Sequence, residues 1–462
     1  MRDDLEKQCV GMAIDAGVAA GPPDAAYANA DRVRGLVHEA LLESGLGRGH
    51  QDRPLADLIE PGMSVLLKPN WVCHSNSAGY GLECLYTHPA FVLAALDEVL
   101  RARPGRIVIG DAPIQSCDFD LVATARFREQ AAAMAAAAGA ALEVVDFRRT
   151  VVRRGGLAAG VETDRRNASQ YVLIDLGKDS LLEPLSSAPE RFRVTNYDPD
   201  TLSQSHAAGR HRYLLCREAF ECNVILSLPK LKLHRKAGLT GALKNLVGMN
   251  GNKDYLPHHR LGGTGSGGDC YPGRSIGKRI AEFLLDGANR RIGTPAYDRW
   301  VRWGTRLKCV TTRPDEGDLE GSWHGNDTCW RMVLDLNRAL LYGKPDATMA
   351  DTPRRLLSLT DAIVCGQGEG PLEPSPLVVG AVTFSTSAAA ADAIHANLLK
   401  LDDQRIPLIR ESFVNFRWPL APPGAVPEAC VRSRRLSCKA VCDELGVAAK
   451  PPRGWAGHIE RR

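Results

Sequence analysis

The chain has 462 residues, more than one hydrophobic core ordinarily serves, so two domains or one core with large insertions is expected. Hydrophobic residues make up 44% and charged residues 24%, the balance of a globular protein rather than a disordered one. A net charge of +4 is small for this length and gives no support to a general nucleic-acid or membrane-surface role.

The first nine residues, MRDDLEKQC, lack the basic-then-apolar pattern of a secretion signal. No run of about 18 apolar residues follows anywhere, so no membrane span is expected. The 13 cysteines are scattered without framework spacing, which in so long a chain reads as reduced thiols and a cytoplasmic location. There is no C-x-x-C, hence no ferredoxin-type iron–sulfur motif and no zinc knuckle. Cys438 and Cys442 share a helix face, where packing is the simpler explanation of the pair.

Residues 1–60 read as lead-in helices, among them the amphipathic DRVRGLVHEALLESGL. Residues 61–250 read as an α/β core. Ser64–Lys68 is a short apolar run that enters a Pro-Asn loop, and Pro89 opens a helix. Arg106–Gly110 is a second strand, followed by a loop and an alanine-rich helix that reaches 142. Leu142–Asp146 is a third. Strands alternating with helices predict a mostly parallel sheet with helices on both faces.

Residues 148–215 have weak periodicity and read as an excursion holding a small antiparallel layer, before the strand Asn223–Leu228. Residues 251–355 read as a second smaller domain or large cap insertion, with a basic helix near 274–308 and a helix closed by Gly343. The α/β core returns over 356–420, with strands near 358–365 and 377–384. Residues 421–462 read as a peripheral tail.

In open α/β sheets, ligands gather beyond the carboxyl ends of the strands. The loops KPNWVCHS, GDAPIQS, LPKLKLH and CGQGEGP follow four strands, which makes Lys68, Asn70, Asp111, Gln115, Lys230 and Glu369 site candidates by position. The glycines 366, 368 and 370 are spaced G-x-G-x-G and precede Pro371. They read as a tight turn, because a dinucleotide fingerprint must open a helix.

The densest signal is LPKLKLHRKAGLTGALKNLVG, residues 228–248. Between 230 and 260 stand Lys230, Lys232, His234, Arg235, Lys236, Lys244, Lys253, His258, His259 and Arg260, opposed only by Asp254. Interleaved leucines and glycines imply half-burial, where lysines are costly unless an anion or a lowered pKa relieves them. Lys244 is a candidate anchor or clamp and His234 a candidate acid or base, with Asp111 as the third catalytic candidate. Lys68, Asn70, Lys230, Lys232, Thr240, Asn245, Gln115 and Glu369 are candidates for holding substrate, and His258 and His259 for holding a metal. Gly238 and Gly241 are expected to let the backbone approach a ligand, with the next helix aiming free N–H groups at it. Asp269, His324, Asn326, Asp327, Asp335 and Asn337 offer further ligand atoms, with Asp327 equally readable as a helix N-cap.

The segments VLLKPNWV, THPAFVLAAL, IVIGDAPIQ, LPKLKLHRKAGLTGALKNLVGMNGNKDYLPHHR, GGDCYP, WHGNDTCWRMVLDLNRALLYG and GQGEGPLEP resemble the bacterial and archaeal family called domain of unknown function 362. The resemblance spans most of residues 60–415 and implies membership rather than chemistry. Some members carry an appended ferredoxin module, whose cysteines this chain lacks. Cys270 stands where the usual motif, GGDEYP, has an acid.

The H-x9-K run from His234 to Lys244 is also similar to an element of the nickel-pincer lactate racemase family. That similarity implies a covalent cofactor on Lys244, acid/base work at His234 and a nickel ligand at His258 or His259. Thr87-His88-Pro89 resembles that family's T-R-P element with the arginine replaced. The expectation is therefore an enzyme acting on a small anionic or hydroxylated metabolite by acid/base chemistry. A metal- or pincer-dependent racemase, epimerase or redox enzyme is the alternative, and a non-catalytic binder of an anion or cofactor the third. The cofactor is left open between none, a divalent metal and a nickel-pincer nucleotide. The expected partner is a small molecule, with neither nucleic acid nor membrane.

Overall fold

The computed structural model describes residues 9–19, 21–163, 165–312 and 319–461. The first eight residues, on which part of the N-terminal reading rests, lie outside them.

Eleven strands form one sheet: β1 (Cys9–Ile14), β2 (Ser64–Pro69), β3 (Arg106–Asp111), β4 (Ala141–Asp146), β5 (Val224–Leu228), β6 (Lys230–His234), β7 (Gly238–Thr240), β8 (Arg355–Glu369), β9 (Glu373–Ser385), β10 (Glu428–Val431) and β11 (Arg434–Ser437). Their order is β11-β10-β1-β9-β8-β5-β2-β3-β4, with β6 on the extended end of β8 and β7 on β6. The stretch β8-β5-β2-β3-β4 is parallel throughout. The sheet is α/β and mostly parallel, as expected.

Period-two alternation explains how it is buried. Val65 and Leu67 enter one core and Leu66 the other, and Ile107 and Ile109 part from Val108 in the same way. One face is covered by α1 (Ala30–Glu43), α2 (Pro89–Arg101) and α3 (Ala125–Ala137), through Val33, Val37, Phe91 and Phe127. The other face carries Cys329–Tyr342 and Ala388–Leu398, through Val333, Leu336 and Ile394. The antiparallel excursion consists of Tyr171–Asp175, Arg210–Cys216 and His206–Ala207. The basic region beyond it is two helices, Ile276–Asn289 and Ala296–Thr311. Among the described residues no helix is long and apolar enough to cross a membrane.

Four readings need correction. The segment expected to hold only lead-in helices contains β1, a six-residue run too short to stand out beside the amphipathic helix that follows it. The C-terminal tail contributes β10 and β11 to the sheet. Cys9 and Cys430 form a disulfide across the β1–β10 pair, 421 residues apart in sequence, so the thiols are not all reduced; the other eleven are free. No local motif encodes so distant a pair. Finally, β8 and β9 run well past their expected ends as one antiparallel hairpin, so CGQGE lies within a strand and the turn falls at residues 370–372.

Candidate active site

From β2 the chain crosses outward to β3 and β4, and β5 then returns on the other side of β2. Such a reversal opens a crevice at the carboxyl ends of the strands. A cleft of about 710 Å³ lies there. Its walls include the ends of β2 and β3, the β6–β7 segment, the 195–197 loop, the β8–β9 turn, His258 and Lys308 from the second helix of the basic pair.

The floor is a locked polar network. Lys68 is 1% exposed, and its Nζ lies 2.7 Å from Asp111 Oδ1 and donates to Pro69 O (2.7 Å) and Asn245 Oδ1 (3.1 Å). Asp111 also accepts from the backbone N–H groups of Trp71 and Ala112. Asn245 donates to Lys68 O and Ser227 Oγ and accepts from Asn70 Nδ2. Every polar atom of Asn245 and Asp111 is thus committed to the protein. These two residues position the site, while Asn70 Oδ1 and Thr240 Oγ1 stay buried without a hydrogen-bond partner among the described residues. Both residues line the cleft. Unpaired buried polar atoms are costly, and a ligand that pairs them recovers that cost.

Gly248 makes the network possible, since a Cβ there would run into Asp111 Oδ1 and Lys68 Nζ. Gly248→Ala should therefore separate the Lys68–Asp111 pair and lower the melting temperature by several degrees, for a cost of about 1–3 kcal/mol. A calorimetric scan checks this.

The walls are cationic. Lys232, Lys236, Lys244, Lys253 and Lys308 face the cleft with Lys68 and Arg235, against Asp111, Glu320 and Glu373. Asp111 is matched by Lys68, and Glu373 sits 4.0 Å from Arg235. Burial pushes the Lys232 and Lys253 ammonium groups down to about 7. Lys232 donates to Leu85 O and Lys253 to Ala112 O. Lys236 is also lowered by burial, and it donates to Thr195 Oγ1. Among the described residues Lys244 has neither a carboxylate nor a hydrogen-bond acceptor. It is the cleft cation with a free head group.

Two histidines share the cleft in opposite tautomers. His234 Nδ1 accepts the Lys236 backbone N–H at 3.0 Å, so the neutral ring carries its proton on Nε2. His258 Nδ1 sits 2.7 Å from Leu256 O, which can only accept, so its neutral ring keeps a bare Nε2. Burial first, then the charge of Lys244, holds both rings well below the ordinary imidazole pKa. At neutral pH one ring offers an N–H hydrogen-bond donor and the other a bare nitrogen able to accept a proton.

A pH signature follows. The unfolded chain keeps Lys232 and Lys253 charged up to their ordinary 10.5, whereas the folded chain releases those protons near 7. The unfolded state then binds more protons between about pH 7 and 10.5, and stability rises with pH across that window. Urea titrations of the ligand-free protein at pH 7 and pH 9 should show greater stability at pH 9. An anionic ligand should bind more weakly at pH 9, because two cations have been lost.

The cleft gathers Lys68, Asn70, Asp111, Gln115, Lys232, His234, Thr240, Lys244, Asn245 and His258 from the sequence candidates. Three candidates lie elsewhere. Lys230 is sealed in a buried cluster, 2.6 Å from Tyr27 Oη and 3.0 Å from Asp361 Oδ2, because the register with β8 shifts between Lys230 and Lys232. Glu369 accepts from the Arg453 backbone N–H and pairs with its side chain. His259 sits in a two-residue bridge with Arg193 and does not reach the cleft.

The expected free helix N–H groups are also spoken for. Asp392 accepts from Ala242 and Leu243, and Gly241 is there to admit that carboxylate. The proposed ligand set further along is structural. Asp269 holds Thr328 and the Asp327 N–H, Asn326 rather than Asp327 accepts the N–H groups of Thr328 and Cys329 at the helix start, and Asp335 is buried against Arg338. His324 stacks on His458, and Asn337 donates to Leu243 O. Among the described residues no three His, Cys, Asp or Glu side chains gather to hold a metal.

Sequence reasoning passed over Lys236 and Lys253 as site residues, although both stood in the basic run. Tyr197 and Lys308 carried no signal, since long excursions bring them to the cleft.

Residues 172–397 match the family described as "Domain of unknown function (DUF362)". That segment holds His234, Lys244 and His258, while Lys68, Asn70 and Asp111 precede it. The chain is similar to the Thylakoid-associated protein sll1697 of Synechocystis sp., at 22% identity over 353 residues, covering 76% of this chain and 68% of that protein. A crystal structure of a Thermotoga maritima protein aligns with a TM-score of 0.33 and 9% identity, over 78% of this chain. The chain spans 55% of the length of that structure's chain.

Proposed function

We propose that the chain is an enzyme that moves a proton on a small anionic, hydroxylated metabolite held in the Lys244 cleft. The observation that carries this reading is the pairing of an uncommitted ammonium, Lys244, with two neutral histidines in opposite tautomers on one cavity. Lys244 holds the anionic group, with Lys232 and Lys253 adding positive charge. Asn70 Oδ1 accepts from a substrate hydroxyl, and Thr240 Oγ1 meets a second polar group. His258 Nε2 takes the proton and becomes a cation, while the neutral His234 Nε2–H donates a hydrogen bond to the oxyanion that the departing proton leaves behind. The cleft disfavours a charged imidazole, and the substrate's own anionic group offsets that cost at His258.

Incubating the protein with pools of small hydroxy acids and phosphorylated sugars in D2O tests the reading. The expected result is deuterium entering carbon next to a carbonyl or hydroxyl of one compound, at a rate lost in His258→Ala. A compound that binds but exchanges no hydrogen and forms no product in any pool would favour a binding protein.

The similarity of the His234–Lys244 run to the nickel-pincer family supports a second reading, because His234, Lys244 and His258 do face one cavity. Lys244 would then hold the cofactor covalently and His258 would be its protein ligand, with the cofactor supplying hydride chemistry when bound. His88, which stands where that family has an arginine, stacks on Tyr27 instead and offers no carboxylate clamp. Intact-mass analysis of protein from its own host, with nickel quantified, separates the readings. Added mass on Lys244 together with nickel favours the second.

A further inference from the structure

The two basic helices carry a surface that the cleft does not use. On the first, Ile276, Arg279, Ile280 and Phe283 form an exposed stripe at helical spacing. On the second, Arg299, Arg302, Trp303, Arg306 and Val310 form another. The five apolar members are between 49% and 84% exposed, and they are half of the large exposed hydrophobic residues among the described residues. The helices pack on each other through glycines, Gly287 against Trp300 and Gly304 against Leu285, and Phe283 meets Trp300 edge-on. The core beneath them is small: Cys270, Tyr271, Ala281 and Leu319, with Leu307 against it. The apolar side chains on the outer faces are therefore surplus to the fold.

Charge identifies the occupant. Residues 274–312 hold nine Lys and Arg against three acids, Glu282, Asp286 and Asp298. Glu282 and Asp286 are buried, and Asp286 is taken by Arg193. The whole chain has a net charge of only +4, so this pair of helices is more positive than the protein that carries it. Whole-chain charge therefore conceals the patch. An apolar ridge with an interfacial tryptophan, flanked by arginines, matches a bilayer with anionic headgroups: the apolar side chains enter the acyl boundary and the guanidinium groups meet phosphates.

We propose that this helix pair docks the protein on an anionic membrane surface. Lys308, on the second helix, lines the cleft, so docking sets the cleft beside the membrane. The test is sedimentation of the full chain with vesicles of pure phosphatidylcholine and of an equimolar phosphatidylcholine–phosphatidylglycerol mixture. Binding to the mixed vesicles, weak binding to the neutral ones and weakening by salt are expected. Arg299→Glu/Arg302→Glu and Ile280→Ser/Trp303→Ser, checked for unchanged circular dichroism, should each lower partitioning at least about tenfold. The proposal is overturned by no sedimentation with either vesicle, by equal binding to both, or by variants that bind as the parent does. Equally tight binding to duplex DNA, or a dimer abolished by Ile280→Ser/Trp303→Ser with vesicles ignored, would also overturn it.

Discussion

Replacing Asp111 with alanine is expected to destabilise the protein by about 3–5 kcal/mol, the cost of leaving a buried ammonium without its counter-ion. The size of the effect comes from the surroundings of Lys68. That side chain is 1% exposed, and apart from Asp111 its partners are a carbonyl and an amide oxygen, neither of which neutralises its charge. Asp111 also holds two backbone N–H groups that fix the loops after β2 and β3, so both loops loosen together. Chemical denaturation measures the loss. The double variant Lys68→Met/Asp111→Leu should recover most of it, since an apolar pair of similar volume often replaces a buried ion pair at little cost. If Asp111→Ala alone were as stable as the parent, the pair would not organise the floor of the cleft.

Lys244→Met should have the opposite profile, full stability with loss of function. Among the described residues Lys244 is engaged by no acid, so its removal strands no partner there. Thermal stability without ligand should match the parent or exceed it, because one uncompensated charge has gone. Affinity for the anionic ligand should fall by about 2–3 kcal/mol, or roughly a hundredfold, the scale of one charge-assisted hydrogen bond in a partly dry site. Turnover should fall at least as far. Lys244→Arg should restore part of the affinity but less of the turnover, because a planar fork places its charge differently from a compact ammonium. Isothermal titration alongside steady-state assay distinguishes these outcomes. A Lys244→Met protein that binds and turns over normally would remove this lysine from the site.

The parts of the fold that could be read from sequence are those in which one short segment carries its own signal. The strands SVLLK, RIVIG and NVILSL are apolar runs that end in polar loops, and both of their faces are buried as such runs require. Because ligand sites follow strand ends in this architecture, Lys68, Asn70 and Asp111 were accessible by position alone. What depended on distant pairing was not accessible. Strand β1 is a six-residue run whose place in the sheet is decided by β9 and β10, hundreds of residues away. The Cys9–Cys430 bond has the same cause.

Within the basic run, residue type showed that a site was near but not which residues enter it. Lys230 and Lys232 stand two apart on β6, yet only Lys232 lines the cleft, because a bulge between them changes the register with β8. His258 and His259 are adjacent, yet only His258 lines the cleft, because His259 pairs with Arg193. Histidine tautomers were likewise beyond reach, since each is set by a backbone group two residues away that only a particular turn brings into line.

The central claim, that the cleft around Lys244 takes a small anion, is tested most directly by native mass spectrometry of the protein purified gently from its own host, beside Lys244→Met. The account predicts a small anionic molecule retained by the parent, released on raising the pH from 7 to 9 and missing from the variant. Equal retention by parent and variant, or a retained molecule without an anionic group, would contradict it.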